Sequence, residues 1–494
     1  MPQIRPHDAL PHGRLGPVAA GERIVALDVV RGFALLGIFL MNVEFFSRPL
    51  ADLDAGLPVA AATGLDYWAG WLVHVLVRGK FWTMFSLLFG MGFAVMLTRA
   101  ERAGAAFTAP YLRRTLALGV IGALHYLFLW AGDILFSYAL GAALLMIVFH
   151  ARPRPLFLFA GACAALAAGC ALAAKLGLGA PPWQLFLALG VPVLVLAIVA
   201  AVLRRWPLSG LRHAGLALYL LPFLAMAVGG AAMLQAPPET RAPATAQAAQ
   251  DTPAAKAQAE RAQRLREHAA RIATEARVMS QGSYAEAVAL RAGEFGRQAG
   301  TDAAFAMIVL GMFLLGAWFV RSGIMLDPAA HLPLFRRLAW FGIPVGVGIG
   351  VLAAGIATSH VRGRNDAAFQ LATGLAMLGN LPASLGYVAA VVLAFHGRWR
   401  RWVAALAPAG RMALSNYLLQ SLLGTWFFYG YGLGHWGMGR AGQLLFVVVV
   451  FALQLLLSHW WLARFRYGPL EWLWRGVTYL RWPRLRQPRI GQAA

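Results

Sequence analysis

The sequence predicts an all-α membrane protein: a polytopic transmembrane helical bundle of about 10–12 helices with one helical insert outside the membrane. Of its 494 residues, 60% are hydrophobic and only 13% are charged, whereas about a quarter of the residues of soluble domains are charged. Apolar stretches of about 18 to 22 residues recur along the chain, and each is long enough to cross a hydrocarbon core of about 30 Å as a helix. Arginines cluster between these stretches.

The apolar stretches define the transmembrane helices in order. Their length and composition predict spans at 28–47, 80–98, 114–131, 133–150, 155–174, 184–203, 213–234, 302–321, 338–357, 372–396, 411–430 and 442–462. The residues before the first span are polar and rich in Pro, Gly and Arg, and the apolar run that begins near Leu27 has no small-residue cleavage site. We therefore predict that the first span is a retained helix and not a signal peptide.

Arginines between the spans predict the orientation. The connections after the even-numbered spans are all basic, and their arginines are Arg99, Arg102, Arg113, Arg114, Arg152, Arg154, Arg204, Arg205, Arg212, Arg321, Arg336, Arg337, Arg398, Arg400, Arg401 and Arg411. The positive-inside rule places these connections and both termini in the cytoplasm, for a multi-pass protein of the bacterial inner membrane. The net charge of +23 comes from the same scattered clusters and not from one basic face, so nucleic acid is not an expected partner.

One connection is long and polar. Residues 235–301 separate an N-terminal membrane bundle, 1–234, from a C-terminal membrane bundle, 302–494. A Pro/Ala/Thr-rich stretch at 236–255 leads into a charged helix at 257–278, which should lie on the extracytoplasmic side. This insert is either an amphipathic segment on the membrane surface or a cap over an external substrate site.

The C-terminal tail and the two cysteines give two further predictions. The C-terminal tail combines arginines with tryptophans, which predicts an interfacial helix on anionic lipid. The two cysteines, Cys163 and Cys170, lie in one apolar run and indicate neither a disulfide framework nor a metal site.

Ionisable residues inside the spans are the candidate functional residues, because a charge at the bilayer centre costs about 2.5–3.5 kcal/mol. Asp28 and Arg31 share a helix face near the cytoplasmic end of the first span, where they form either a simple ion pair or part of a substrate site. Asn42 lies eleven residues after Arg31 on a nearly matching face, and Glu44 follows it.

A second group of polar residues lies toward the outer side. Lys80 opens the second span, either as a snorkelling side chain or as a functional amine. His125 in the third span is followed, across a tight bend, by Asp133. A carboxylate can fix the imidazole tautomer and raise its basicity, as a general base requires; the alternative is a core histidine that bonds a neighbouring helix. The predicted topology places five of these polar residues toward the same, outer side of the membrane, and this favours one site built from Asn42, Glu44, Lys80, His125 and Asp133.

The C-terminal bundle contributes weaker candidates. Asn380 lies in the tenth span, Asn416 and Gln420 share a face of the eleventh, and Tyr429 stands in the aromatic segment at its end. Amides at four-residue spacing commonly link helices. We assign a substrate-binding role, as a hypothesis, to Asp28, Arg31, Glu44, Asn380, Asn416 and Tyr429.

At these positions the chain resembles the YeiB-like family, known as domain of unknown function 418. The resemblance extends over most of the chain and rests on these segments: Leu27-Asp28-Val29-Val30-Arg31-Gly32 with Asn42, Lys80-Phe81 with Phe85-Ser86-Leu87-Leu88-Phe89-Gly90, His125 with Trp130-Ala131-Gly132-Asp133-Ile134-Leu135, Gly282-Ser283-Tyr284-Ala285-Glu286 with Arg291, Gly410-Arg411-Met412-Ala413-Leu414-Ser415-Asn416-Tyr417, Phe428-Tyr429-Gly430-Tyr431-Gly432, and Gly468-Pro469-Leu470-Glu471-Trp472.

The first helix also resembles that of the wider transmembrane acyltransferase superfamily, which includes heparan-alpha-glucosaminide N-acetyltransferase-like and acyltransferase-3-like proteins. The resemblance implies transfer of an acyl group from cytoplasmic acyl-CoA to a hydroxyl or amine on the far side. In acyltransferase-3 proteins a histidine stands eleven residues after the first-helix arginine, whereas this chain has Asn42 there. The base must then come from elsewhere, and His125 is the hypothesis.

Three functions follow from these residues. In an acyltransferase, Arg31 and the arginine clusters would bind the donor's phosphates, His125 with Asp133 would deprotonate the acceptor, and Asn42 with Lys80 would stabilise the oxyanion. The donor would be acyl-CoA, with acetyl-CoA as one form. No other cofactor would be bound, and the acceptor would be an envelope glycan or a small molecule.

A proton-coupled secondary transporter of a small solute would use the same ionisable residues. A noncatalytic role in envelope assembly is the third possible function. The lipid bilayer is the expected partner in each case, and homo-oligomerisation is left open.

Overall fold

The structure is a computed structural model that describes residues 16, 23–50, 52, 62–235, 253–359 and 366–487. Among these residues the secondary structure is helical, and the extended segments form only one isolated bridge, between Phe465 and Arg486. The predicted all-α helical bundle is confirmed. Residues 236–252, which include most of the predicted Pro/Ala/Thr-rich stretch, lie outside the described part.

Seventeen α-helices follow one another along the described residues. They are α1 (Val25–Phe46), α2 (Gly64–Leu76), α3 (Lys80–Ala103), α4 (Thr108–Phe128), α5 (Leu135–His150), α6 (Pro153–Lys175), α7 (Trp183–Arg205), α8 (Ser209–Gln235), α9 (Pro253–Gln281), α10 (Tyr284–Arg321), α11 (Leu332–Ala357), α12 (Ala367–His396), α13 (Arg400–Ala404), α14 (Ala407–Arg411), α15 (Ala413–Phe428), α16 (Arg440–Arg464) and α17 (Pro469–Tyr479). A single 3₁₀ turn at Ala329–His331 precedes α11.

Every predicted span coincides with a helix. Among the described residues, nine helical elements are both long and apolar enough to cross a membrane, and α5 is a shorter apolar helix. The helices α4 and α15 stand at the third and eleventh predicted spans. The chain is a multi-pass membrane protein whose helices α6 and α7 expose most of their apolar surface on the outside of the bundle.

The second span is longer than the sequence predicts, and it is broken. The structure adds α2, a helix of 13 residues, before the predicted start at Lys80, so that one apolar element runs over Gly64–Ala103. Gly79 sits in the break with φ of +77°, and a side chain there would collide with the Asn380 amide near the middle of α12. Only glycine tolerates this combination of backbone angle and close approach. The break and Lys80 therefore lie inside the bundle and not at its outer surface.

The polar insert is continuous with the span that follows it. The helix α10 starts at Tyr284, behind a capping box in which Ser283 and Glu286 bond each other's backbone N–H groups, and it runs unbroken to Arg321. The division predicted at residue 301 thus falls inside one helix of 38 residues. This helix joins the insert rigidly to the core.

Small residues let the central helices pack closely. A side chain at Gly90 of α3 would overlap the Phe313 carbonyl of α10, and one at Gly316 of α10 would overlap the Leu87 carbonyl of α3. Membrane helices gain contact area where glycines allow the backbones to approach. The α3–α10 pair forms the centre of the bundle, with α1, α5, α8 and α12 packed around it.

The C-terminal helix α17, for which the sequence predicts an interfacial position on anionic lipid, packs part of its surface on the bundle and leaves Leu473 and Val477 exposed. The Trp474 indole donates to the Arg114 carbonyl at 2.9 Å, and the Arg114 guanidinium stacks over the same ring at 3.8 Å. Arg113 donates to the Thr478 carbonyl at 3.0 Å. These contacts fix α17 against the start of α4.

Candidate functional site

A cavity of about 300 Å³ opens among α1, α3, α4, α5, α15 and α17. Its wall carries six arginines, which are Arg23, Arg31, Arg99, Arg114, Arg411 and Arg475. The rest of the wall is largely apolar and includes Ile38, Phe85, Leu88, Phe89, Leu118, Ile134, Leu135 and Tyr138. Such a cavity suits a ligand that combines an anionic head with an apolar chain. We call the arginine-bearing part the basic mouth.

The basic mouth concentrates positive charge. Arg31 forms an ion pair with Asp28 at 2.9 Å, as the sequence predicts for residues on one helix face, and both line the cavity. The pKa of Arg23 lies below its ordinary value because the side chain is buried and because the Arg411 guanidinium is near. Mutual repulsion among arginines is relieved when an anion binds between them.

Glu471 of α17 also lines the mouth, but its carboxylate is engaged. It accepts from the backbone N–H groups of Leu414 and Ser415 at 2.8 and 3.0 Å and from the Ser415 hydroxyl at 2.6 Å. Burial raises the pKa of Glu471. The residue fixes α17 to the N-terminus of α15. It thereby links two helices that form walls of the cavity.

Tyr417 connects the cavity to the predicted catalytic pair. Tyr417 of α15 lines the cavity, and its ring lies 5.2 Å from the His125 ring, centroid to centroid. Its hydroxyl is 3.5 Å from the Gly132 carbonyl, in the bend between α4 and α5. A single aromatic side chain thus contacts both the cavity and His125.

His125 and Asp133 form a direct, buried pair. The His125 Nδ1 and Asp133 Oδ1 atoms are 2.7 Å apart, and the two side chains are 0% and 1% exposed. The second oxygen, Oδ2, accepts from the Phe136 N–H at 2.7 Å and so caps α5. Gly122, one turn before His125, allows this approach, since a side chain there would collide with Phe136 and Asp133. The sequence predicts this pairing, and the structure brings the two residues together.

The second ring nitrogen of His125, Nε2, is the atom of the pair that could act as a base. Because Nδ1 faces a carboxylate, the proton of a neutral imidazole sits on Nδ1 and leaves Nε2 as a base. Nε2 is buried and bonds no other described residue, and the same holds for the indole N–H of the adjacent Trp130. The rings of His125 and Trp130 are 6.3 Å apart. A buried, unpartnered base next to an unpartnered donor is an arrangement that a substrate would complete.

Glu44 and Asn42, near the C-terminal end of α1, have different environments. Glu44 forms an ion pair with Arg440 of α16, and Arg440 also donates to Gln443 at 3.1 Å. Glu44 therefore joins the first spanning helix to the last. Asn42 is buried one turn before Phe46, whose ring packs against Trp130 at a tilt of 43°, with the ring centroids 4.4 Å apart. Asn42 thus lies on the helix face that meets the Trp130 side of the site.

Lys80 and Asn380 form a second cluster at the break between α2 and α3. Lys80 is only 3% exposed, so it does not snorkel to the surface, and its ammonium donates to the Arg78 carbonyl at 3.2 Å. The Asn380 amide packs on Gly79, and the Ser384 hydroxyl donates to the Lys80 carbonyl at 2.7 Å. The structure groups Lys80 with α12, while it groups His125 with Asp133, Trp130 and Tyr417.

Asn416 lies in a polar link between two helices. Its side-chain amide donates to the Ser458 hydroxyl at 3.0 Å, and its backbone carbonyl accepts from the Gln454 amide at 3.0 Å. Gln420 donates to Gln454 at 2.9 Å. These bonds connect α15 to α16, which is the structural alternative that the four-residue spacing of the amides indicates.

Tyr429 is buried in an aromatic cluster just after the C-terminal end of α15. Its ring lies 5.6 Å from Tyr431 and 5.7 Å from Trp436. The Arg291 guanidinium lies beside it.

Sequence reasoning assigned no role to several polar residues near the pair. They include Tyr417, Trp130, Arg291 and the Ser137–Asp302 contact of 2.7 Å, which joins α5 to α10. The first three stand inside the segments that carry the family resemblance, and this was the signal available for them. Among the described residues, no three His, Cys, Asp or Glu side chains converge as metal ligands would.

The chain is similar to uncharacterized bacterial proteins over nearly its whole length. Residues 319–481 match the family described as "Protein of unknown function (DUF418)". The chain is 29% identical to "Uncharacterized protein YxaH" of Bacillus subtilis (strain 168) over 477 residues, which are 95% of this chain and 97% of the relative. It is also 29% identical to "Uncharacterized protein YeiB" of Escherichia coli (strain K12) over 465 residues, or 92% and 96% of the two chains.

A shorter similarity relates the chain to an "Uncharacterized 39.9 kDa protein in amylase 3'region" of Bacillus acidopullulyticus, 36% identical over 147 residues, which are 30% of this chain and 40% of that relative. No solved structure matches the chain.

Proposed function

We propose that this chain, which belongs to the YeiB-like DUF418 family, is a membrane acyltransferase. It would take an acyl group from cytoplasmic acyl-CoA at the basic mouth and transfer it to a hydroxyl or amine of an acceptor at the other end of α4. The observation that carries the proposal is the continuity of the cavity, from six arginines to Tyr417, which contacts the buried His125–Asp133 pair.

The basic mouth fits the phosphate groups of the donor. Arginine offers several N–H donors in a planar fork that matches phosphate oxygens, and the mouth presents six such side chains. Arg114 and His125 are eleven residues apart on α4, which corresponds to roughly 16 Å along a helix. A long, narrow carrier arm such as that of CoA suits a path of this kind, with the acyl group against the apolar wall.

The chemistry would need one base and one proton. His125 Nε2 would remove the proton of the acceptor O–H or N–H while the acceptor oxygen or nitrogen attacks the thioester carbonyl carbon. Asp133 would hold the Nδ1 proton and stabilise the imidazolium that forms. The C–S bond would then break, and the leaving thiolate would take the proton back from Nε2. The products are the acylated acceptor and free CoA.

The oxyanion of the tetrahedral intermediate requires nearby N–H donors. The Trp130 indole N–H is buried without an acceptor and lies next to His125, which supports this role. Asn42 and Lys80 stay predictions for the same role. The Lys80 ammonium would have to leave the Arg78 carbonyl to take part.

Acyl transfer can be measured directly. Purified protein in liposomes would be given radiolabelled acetyl-CoA, other acyl chains and a panel of envelope glycans and small acceptors, and release of CoA and label transfer would be followed. His125→Ala should abolish transfer and keep donor binding. His459→Ala, at an exposed histidine of α16 whose ring bonds the Leu455 carbonyl of its own helix, should behave as wild type. Absence of donor binding and of turnover in the wild type would refute the proposal.

Proton-coupled transport is a second candidate. A buried histidine–carboxylate pair on membrane helices, together with the broken α2–α3 element, is also found where carriers bind substrate and protons. The two functions differ in their donor: only acyl transfer requires acyl-CoA. A solute flux driven by a pH gradient without acyl-CoA would favour the carrier.

A further inference from the structure

We infer that Arg291 forms an anion-binding site at the outer end of α4, and that the acyl acceptor carries a phosphate or carboxylate group. The second part rests on the proposed acyl transfer, whereas the first stands on the geometry alone. The motif from Ser283 to Arg291 at the start of α10 has no part in the function proposed above, and the site gives it one.

The Arg291 guanidinium is buried and only partly bonded. The side chain is 2% exposed, and its Nε donates to the Leu127 carbonyl in the last turn of α4 at 2.8 Å. Both terminal nitrogens, Nη1 and Nη2, are buried, and neither has a described residue in hydrogen-bond geometry, although the Tyr431 hydroxyl lies near the guanidinium. A structural cap for α4 would need the first bond only. The paired, unbonded Nη groups are the part of the fork that binds two oxygens of one anion.

The surroundings provide aromatic walls and leave the charge unpaired. Tyr429 and Tyr431 lie beside the guanidinium, and Tyr284 closes the cluster by donating to the Phe128 carbonyl at 2.8 Å. Glu275 of α9 also lies near Tyr429, but its carboxylate accepts from the Leu50 N–H at 3.0 Å. Among the described residues no carboxylate forms an ion pair with Arg291. A buried, unpaired guanidinium is costly, so a bound oxyanion would stabilise it.

The site lies at the same end of α4 as the proposed base. Leu127, which accepts from Arg291, is two residues after His125 on α4. Unbonded polar groups therefore accumulate at this helix end: His125 Nε2, the Trp130 indole N–H and the two Nη groups of Arg291. An acceptor held at Arg291 by its anionic group would place its hydroxyl or amine at the same end of the helix as the base.

Entry requires a loop to move. The Gly430 N–H donates to the Met279 carbonyl at 2.8 Å, which closes the loop after α15 over the end of α9. Displacing this loop would expose the aromatic cluster and Arg291.

The test measures anion binding without any acyl donor. Full-length protein in nanodiscs would be dialysed against labelled inorganic phosphate or labelled acetate, with chloride added to keep the ionic strength constant. The variants would be Arg291→Lys and Arg291→Met, and the control would be Arg297→Gln. Arg297 stands six residues later on the same helix, 54% exposed in its side chain and paired with Glu294.

We expect saturable binding of phosphate or acetate to the wild type and to Arg297→Gln. Arg291→Lys should weaken binding by on the order of tenfold to a hundredfold, because an ammonium lacks the fork that bonds two oxygens. Arg291→Met should remove one saturable site per chain and leave any binding at the six arginines of the basic mouth, which every variant shares; if that variant does not fold, the lysine variant decides. Equal affinity in Arg291→Lys, or no saturable binding of either anion to the wild type, would overturn the site.

Acetyl-CoA turnover, measured in parallel, separates the two proposals. Anion binding that depends on Arg291 without turnover on any acceptor would keep the site and refute acyl transfer. Turnover without anion binding would keep acyl transfer and refute the site.

Discussion

A carboxylate that accepts from one ring nitrogen of a histidine decides which nitrogen can act as a base. Asp133 does this for His125 at 2.7 Å, while its other oxygen caps α5 through the Phe136 N–H. The same residue thus has a chemical contact and a structural one. A substitution that keeps the contact with the Phe136 N–H and changes the contact with His125 tests the chemical role of Asp133 alone.

Asp133→Asn should be such a substitution. The asparagine carbonyl can still accept from the Phe136 N–H, but its NH₂ group then faces His125 and favours the tautomer with the proton on Nε2. That tautomer cannot act as a base, so we expect the transfer rate to fall by about 10²–10⁴-fold with little change in donor affinity. Steady-state kinetics and acyl-CoA binding in liposomes would check this.

Asp327→Asn is the matched control, because Asp327 also accepts a backbone N–H, that of Ala330, but does not line the cavity. A full rate in Asp133→Asn would remove the tautomer argument.

At the scale of helices, the cavity exists because α17 is fixed to α15 and α4. Glu471 supplies the α15 contact through three hydrogen bonds, and Trp474 and Arg114 supply the α4 contact. Without α17 the basic mouth would lose one wall. The stability of this docking should depend on the ionisation of Glu471.

Burial raises the pKa of Glu471 above its ordinary value of 4.5. The folded protein therefore binds this proton more tightly than the unfolded chain, and stability falls as the pH rises from that ordinary value through the folded pKa. Glu471→Gln keeps acceptors for the backbone N–H groups and should remove this part of the pH dependence. Glu471→Ala leaves the N–H groups of Leu414 and Ser415 unpaired, and we expect a loss of about 1–3 kcal/mol.

Thermal unfolding of the detergent-solubilised protein between pH 4 and pH 8 would test both variants. The same pH slope in wild type and in Glu471→Gln would show that Glu471 does not contribute it.

At the scale of the whole molecule, the proposed function requires the basic mouth to face the cytoplasm. The last turns of α3, α5, α7, α10 and α12 all carry basic residues. The end of α3, with Arg99, lines the cavity together with the N-terminal parts of α1, α4 and α15. The ion pair of Glu44 with Arg440 joins α1 to α16 at the other end of the bundle. Under the positive-inside rule this arrangement predicts α9 on the outer side.

Cysteine labelling tests that orientation. With Cys163 and Cys170 replaced by alanine, Gln263→Cys on exposed α9 should react with a membrane-impermeant maleimide in intact cells. Arg205→Cys, exposed at the end of α7, should react only after the cells are permeabilised. The reverse pattern would place the basic mouth outside and contradict the use of cytoplasmic acyl-CoA.

The sequence by itself determined the class of fold, the positions of the spans and the His125–Asp133 pair. Spans are recognisable because the requirement for an apolar surface of a given length acts on each helix separately. The pair was predictable for a similar reason: eight residues and a tight bend hold the two side chains near each other whatever the rest of the chain does.

Only the tertiary structure decided which distant residues meet. It placed Lys80 with Asn380, paired Glu44 with Arg440, set Tyr417 between the cavity and His125, and buried Arg291 at the end of α4. The apolar pattern of a membrane helix states that a face is buried or exposed but not which helix covers it, because lipid and protein interiors are equally apolar. The partners of the polar residues therefore depend on helix packing, which close contacts at glycines such as Gly79, Gly90 and Gly122 fix in three dimensions.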